Sequence, residues 1–259
     1  MLRPGEAHEL VCIRTMEALD AAGVPFLVGG TFAFSCYTGE ERITKDLDVM
    51  IRRSHLPQAL EALAGAGFET SQPYPHWLAK ATQGDFLVDL IFASGNGVAG
   101  VDDAWFEHAG RANLFGHEVL VSPPEEMIWS KAFVMERERY DGADVAHLLW
   151  ARSQTLDWPR LERRFGDLLP VLYAHVTQFL FIYSDGWQRL PSGVFERLQA
   201  RSLELLRSQE QKVCRGTLLS REQYLHDVER LGYQDGRRAL GVMSGQDVEI
   251  WTAAIEHRE

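Results

Sequence analysis

Val28-Gly29-Gly30-Thr31 and, after a short apolar stretch, Thr44-Lys45-Asp46-Leu47-Asp48-Val49-Met50-Ile51 are the two pieces of sequence that decide how this chain folds. The two glycines end one apolar run (Phe26, Leu27, Val28) and open another (Phe32, Ala33, Phe34), which suits a strand-to-helix turn. At such a turn, bare backbone N–H groups and the helix dipole hold phosphate, and Thr31 would cap the helix or touch the phosphates. Side chains alternate along a strand, so Thr44, Asp46 and Asp48 share one face while Lys45, Leu47 and Val49 share the other. Two carboxylates on one face can share Mg²⁺ ions. Without a cation they would repel each other and forfeit burial. The plainer alternative is a simple Gly-Gly turn followed by acidic strand positions facing water.

Further along, Gly84-Asp85-Phe86-Leu87-Val88-Asp89-Leu90-Ile91-Phe92 places Asp89 inside an apolar strand, with Asp85 on the same face nearer its start. Together these pieces resemble the DNA polymerase β-type nucleotidyltransferase superfamily. Its pattern is a Gly-Gly-[Ser/Thr] turn, an Asp-x-Asp strand and a third Asp embedded in a later strand, which favours Asp89 over Asp85. The resemblance implies Asp46, Asp48 and Asp89 as catalytic and metal-binding residues, holding one or two Mg²⁺ ions. It implies Gly29, Gly30, Thr31 and Thr44 as contacts to an NTP, with ATP expected. An acceptor hydroxyl would attack the α-phosphorus, and pyrophosphate would leave. Asp89 would complete the second metal site or accept the hydroxyl proton.

Outward from this core, Glu6 to Ala22 has apolar residues at helical spacing and stops at Gly23 before Pro25. Strand Phe26 to Val28, helix Thr31 to Tyr37, strand Asp46 to Ile51 and a helix from Leu56 to Ala64, with Ser54 as its N-cap, follow. Strands are expected near Phe68 to Thr70, His76 to Ala81, Phe86 to Phe92 and His117 to Val121. From Ser122-Pro123-Pro124 onward the period is helical, with helices expected at Pro124 to Glu138, Ala143 to Ser153, Pro159 to Phe165, Leu169 to Tyr183, Val194 to Ser208, Ser220 to Leu231 and Gln246 to His257. The fold class is therefore α/β (α+β), a nucleotidyltransferase-type mixed sheet with helices followed by an all-helical C-terminal domain. The expected domains are 1–121, catalytic, and 122–259, helical.

Glu125 to Leu149, EEMIWSKAFVMERERYDGADVAHLL, carries a second resemblance. It is similar to a helix of minor nucleotidyltransferases, including those of toxin–antitoxin systems, that bears a Lys, an Arg and an Asp-x-x-Asp-Leu pattern. Val145 stands where that pattern has Leu. This implies Lys131 near the triphosphate, with Arg139, Asp141 and Asp144 shaping the far wall of the nucleotide site. Lys131 could instead face solvent and Asp141 could cap the next helix. The front of the chain also resembles aminoglycoside and lincosamide nucleotidyltransferases, so the likeness spans roughly residues 10 to 150. Arg215 to Arg221, RGTLLSR, is similar to bacterial nucleotidyltransferase-like proteins of unassigned role.

The 259 residues carry a net charge of −11, which argues against extended, charge-driven nucleic-acid binding. Arg207, Lys212, Arg215 and Arg221 form the best candidate basic patch. Cys12, Cys36 and Cys214 are an odd, widely separated set that reads as buried thiols. No stretch reads as long and apolar enough to cross a membrane, and Met1 to Glu6 lack the apolar core of a signal peptide, so a cytoplasmic protein without a membrane partner is expected. Gly95-Asn96-Gly97-Val98-Ala99-Gly100 fits G-x-G-x-x-G, but Val101 to Phe106 reads as a capped helix beginning after the glycines, so a loop is expected rather than a dinucleotide site. Three functional readings follow: transfer to a small-molecule hydroxyl, transfer to a tRNA end or protein hydroxyl, and a noncatalytic module that keeps the fold. Neither the acceptor nor the oligomeric state is legible in the sequence.

Overall fold

Alternation of apolar residues along short strands builds a mixed sheet in the first half of the chain, and a change to helical period builds the second half. The computed structural model describes residues 4–42, 44–208 and 212–256. Met1, Leu2, Arg3 and His257 lie outside the described residues. Two compact units, Met1–Pro123 and Pro124–Glu259, divide the chain.

The first unit runs α1 (Pro4–Ala21), β1 (Phe26–Val28), α2 (Gly30–Thr38), β2 (Asp46–Ile51), α3 (Leu56–Gly65), β3 (Glu69–Tyr74), β4 (Leu78–Gln83), β5 (Phe86–Ile91), α4 (Asp103–Glu107), β6 (Gly110–Leu114) and β7 (His117–Val121). The strands form one sheet in the order β3-β4-β5-β2-β1-β7-β6, in which only β2–β5 and β1–β7 run parallel. Leu47, Val49 and Ile51 are buried on one face of β2 together with Val28, Val88 and Leu90 of its neighbours, and α1 and α3 pack on β5 and β4. The opposite face divides. At one end Leu27, Val101 and Trp105 form a buried cluster with Met50, Phe106 and Leu120; at the other the strands carry polar residues.

Several local expectations are overridden by packing. Ser54 does not cap α3, because residues 53–55 form a 3₁₀ turn and His55 occupies the cap position. Strand β6 has a mixed sequence with little apolar alternation, and exists as an edge strand because β7 supplies its whole ladder. The Gly95 to Gly100 segment is a loop held by Ser94 and Asn96, and α4 starts afterwards with Asp102 capping Ala104 N–H at 3.1 Å.

The second unit contains α5 (Pro124–Lys131), α6 (Gly142–Arg152), α7 (Trp158–Phe165), α8 (Leu169–Ile182), α9 (Gly186–Arg189), α10 (Val194–Arg207), β8 (Val213–Cys214), α11 (Leu225–Glu229), β9 (Gln234–Asp235), α12 (Gly236–Ala239) and α13 (Gly245–Glu256). It is mainly helical, with a two-residue parallel ladder between β8 and β9 and an isolated antiparallel bridge between Met135 and Tyr140. The helix expected to reach Glu138 stops at Lys131, since Phe133 turns inward to stack on Phe165 with ring centres 5.6 Å apart. Glu136 then accepts from Ser220 Oγ at 2.5 Å and from the Arg221 N–H at 3.1 Å. The same bonds shorten the helix expected from Ser220 to Leu231 to the single turn of α11.

Two whole-chain expectations need correction. Of the three cysteines only Cys12 is buried: Cys36 is exposed on the outer side of α2 and Cys214 is half-buried. The helical run Trp158–Ile182 does reach membrane-spanning length and apolarity. Gly166, at φ 50°, breaks that run, and Leu169, Leu172, Val176 and Phe179 are buried in the packing of α8 on α6 and α10. These buried side chains serve the core of the unit, while Phe181 and Ile182 at the end of α8 are exposed.

Candidate active site

Strand register brings the sequence-predicted carboxylates together. Parallel pairing of β2 with β5 sets Asp48 opposite Asp89 and Asp46 opposite Leu87. Directly opposed residues on neighbouring strands share a face, so Asp46, Asp48 and Asp89 project from the same side of the sheet. Asp85, the alternative third carboxylate, sits in the turn before β5 and is exposed.

The row continues outward with a residue the sequence reading missed. Lys80 on β4 pairs with Asp89, and Ser71 on β3 pairs with Lys80. The Lys80 ammonium donates to Asp89 Oδ1 at 2.9 Å. Its signal in the sequence is slight: one lysine among the small apolar residues of Leu78-Ala79-Lys80-Ala81.

The turn between β1 and α2 closes onto this row. Gly29 is extended and occupies the N-cap position of α2 without a side-chain capping bond, so Thr31 is a first-turn residue rather than the cap. The Gly29 N–H donates to the Asp48 carbonyl at 2.8 Å. Gly30 has φ +51°, and a Cβ there would stand 1.6 Å from Asp48 Oδ2; a Cβ on Gly29 would stand 2.6 Å from Met50 Cε. Only glycine lets the β2 side chains lie this close to the helix start. Thr44 is drawn into the backbone: its hydroxyl donates to the Asp46 carbonyl at 3.0 Å and accepts from the Asp46 N–H at 3.2 Å, fixing the entry to β2.

Asp46 and Asp48 suit a hard divalent cation. The donors are carboxylate oxygens only, which match Mg²⁺, and the missing Cβ of Gly30 leaves the Asp48 carboxylate its place. Among the described residues no group of three or more His, Cys, Asp or Glu is arranged to hold a metal. The fit therefore rests on the pair Asp46 and Asp48, with Asp89 beside them and engaged by Lys80.

Lys131 and Asp144 belong to the second unit and bind each other. Lys131 Nζ donates to Asp144 Oδ2 at 2.7 Å and to Asp141 Oδ2 at 3.3 Å, while Arg139 grips both oxygens of Asp141 at 2.9 Å. Asp141 stands at the cap position of α6 without capping it. Burial pushes its carboxyl up, but the hydrogen bond from Arg139 and the charges of Lys131 and Arg139 outweigh this and hold it below the ordinary carboxylate value.

Residues 11–105, from α1 into α4 and including the Gly-Gly turn and all three carboxylates, match the family model described as aminoglycoside-2''-adenylyltransferase. This stretch of the chain is similar to a nucleotidyltransferase family. Among solved structures this chain is similar to the antibiotic-resistance factor ANT(2'')-Ia in solution, at 16% identity over 78% of this chain and 96% of that chain with a TM-score of 0.43. It is also similar to the lincosamide antibiotic adenylyltransferase LnuA bound to lincomycin, at 13% identity over 54% and 94% with a TM-score of 0.40. A third is JHP933 from Helicobacter pylori, at 14% identity over 90% and 100% with a TM-score of 0.38. No curated protein matches this chain.

Proposed function

We propose that this protein is a nucleotidyltransferase that moves an NMP from ATP, with Mg²⁺, onto the hydroxyl of a small molecule and releases pyrophosphate. The observation that carries the reading is the register setting Asp48 beside Asp89, directly against the glycine turn. Asp46 and Asp48 are the residues that would hold Mg²⁺, which when bound offsets triphosphate charge and polarises the α-phosphoryl group. The backbone N–H groups at Gly30 and Thr31 receive the β- and γ-phosphates at the start of α2, while Gly29, whose N–H is bonded to the Asp48 carbonyl, shapes the turn. Thr44 fixes the first residue of β2, so that Asp46 keeps to the carboxylate face. The acceptor oxygen forms its bond to the α-phosphorus as the bond to the bridging oxygen breaks and pyrophosphate leaves. Asp89 serves from the same row, as a further oxygen ligand or as the acceptor of the hydroxyl proton.

A small cationic acceptor is supported by the net charge of −11 and by the aminoglycoside modification named in the matching family model. Transfer to tRNA draws little support from the basic residues near the C-terminus. Lys212 Nζ is tied to the Leu231 carbonyl at 2.5 Å, Arg215 to the Asp167 carbonyl at 3.2 Å, and Arg221 lies 3.7 Å from Glu136. A noncatalytic module is disfavoured because all three carboxylates are kept. ATP as the donor supports a cytoplasmic reaction.

Isothermal titration with a non-hydrolysable ATP analogue, with and without Mg²⁺, tests the reading when repeated on Asp46→Asn. Binding that needs both Mg²⁺ and Asp46 is expected. Absence of binding in the wild-type protein would make the noncatalytic module the leading interpretation.

A further inference from the structure

β4 presents a single cation to the carboxylate face, and it is aimed at one acid. Lys80 lies directly opposite Asp89 in the antiparallel ladder, with its ammonium 2.9 Å from Oδ1. Ala79 and Ala81, its neighbours on the strand, are fully buried on the other face and hold β4 in register. The pair is partly shielded, at 30% and 19% side-chain exposure, whereas Arg111–Glu118 on the far edge of the same sheet is at 74% and 73%. Solvent weakens the exposed pair far more than the shielded one. The second oxygen of Asp89, Oδ2, takes no hydrogen bond from the described residues.

Charge balance gives the pair a meaning beyond packing. Asp46, Asp48 and Asp89 bring three negative charges to one face and Lys80 brings one positive charge, so before nucleotide binds the face carries the charge that one divalent ion balances. A second divalent ion on Asp89 would sit beside the ammonium and be repelled by it.

We propose that Lys80 is a positioning residue whose ammonium stands in for a second cation, so that the site takes one divalent ion on Asp46 and Asp48. Lys80 holds Asp89 off the metal by Oδ1 and leaves Oδ2 to accept the proton of the attacking hydroxyl. The inference rests on the functional reading above and decides between the two roles open to Asp89 there.

Mn²⁺ ions per bound nucleotide, counted by electron paramagnetic resonance with a non-hydrolysable ATP analogue, test it without turnover. One ion is expected for the wild-type protein, for Lys80→Arg and for Asp89→Asn. Two are expected for Lys80→Met, whose side chain has similar length and no charge. Two ions in the wild-type protein, loss of the ion in Asp89→Asn, or one ion in a folded Lys80→Met protein would each overturn the inference while leaving nucleotide transfer intact. Failure of the wild-type protein to bind nucleotide with Mn²⁺ would instead overturn the functional reading and this inference with it. The wild-type and Asp89→Asn counts decide the matter even where Lys80→Met does not fold.

Discussion

Gly30 and Asp48 adjoin so closely that a methyl group on Gly30 would overlap the Asp48 carboxylate, its Cβ falling 1.6 Å from Oδ2. The glycine turn is therefore part of the acidic site and not only a connector between β1 and α2. Gly30→Ala must push the Asp48 side chain away while straining a backbone at φ +51°, at about 1–2 kcal/mol for the backbone alone. A displaced carboxylate is expected to lower transfer on the order of 10²-fold. Thermal denaturation and nucleotide-transfer rates check the two effects, and a Gly30→Ala enzyme with wild-type rate would show that Asp48 is not needed where it stands.

Asp48→Asn separates charge from shape. The amide keeps the volume beside Gly30 but weakens the hold on a divalent cation, so transfer should fall on the order of 10³-fold, corresponding to several kcal/mol of transition-state stabilisation. Stability without metal should hold or rise slightly, because one of two facing acids across the β2–β5 ladder becomes neutral. Steady-state rates and urea unfolding of the same preparation are the measurements. Undiminished transfer would remove Asp48 from the mechanism.

The second unit is held in part by buried charge. Arg160 Nη1 lies 2.5 Å from Glu126 Oε1 and Nη2 lies 2.5 Å from Glu125 Oε2, with all three residues buried. Arg164 adds a bond to Glu126 at 3.0 Å. Arg160→Ala leaves two buried carboxylates with less compensation and should cost about 3–5 kcal/mol of stability. Chemical denaturation followed by circular dichroism would detect this, and a loss below about 1 kcal/mol would mean that the acids find water instead.

His175 supplies a pH dependence of known sign. Burial holds its imidazole below the ordinary value, against the opposing effect of the ring N–H donated to the Ala132 carbonyl at 2.8 Å. The unfolded chain thus binds a proton at this residue at higher pH than the folded chain does. Stability from this group is complete above about pH 6.5 and declines as pH falls toward the lower folded value. His175→Gln should flatten the decline. Unfolding free energies measured from pH 7.5 to 5 for both proteins check it; equal slopes would assign the decline elsewhere.

Local chemistry alone determined the start of the site. Gly29 and Gly30 between two apolar runs specify a turn, and the two-residue period of a strand puts Asp46 and Asp48 on one face wherever β2 lies. Asp89 was also legible, because a carboxylate inside Phe86-Leu87-Val88-Asp89-Leu90-Ile91 has no apolar reason to be there. What neighbours what across strands was not legible. The facing of Asp48 and Asp89 depends on β5 lying beside β2, and the grip of Lys80 on Asp89 depends on β4 being next in line and in that register. Those pairings join segments far apart in the chain, and the burial of whole sheet faces selects them rather than any residue's own preference. The same non-local forces ended α5 at Lys131, shortened α11 and made an edge strand of Gly110 to Leu114, since there the surroundings outweighed the local pattern.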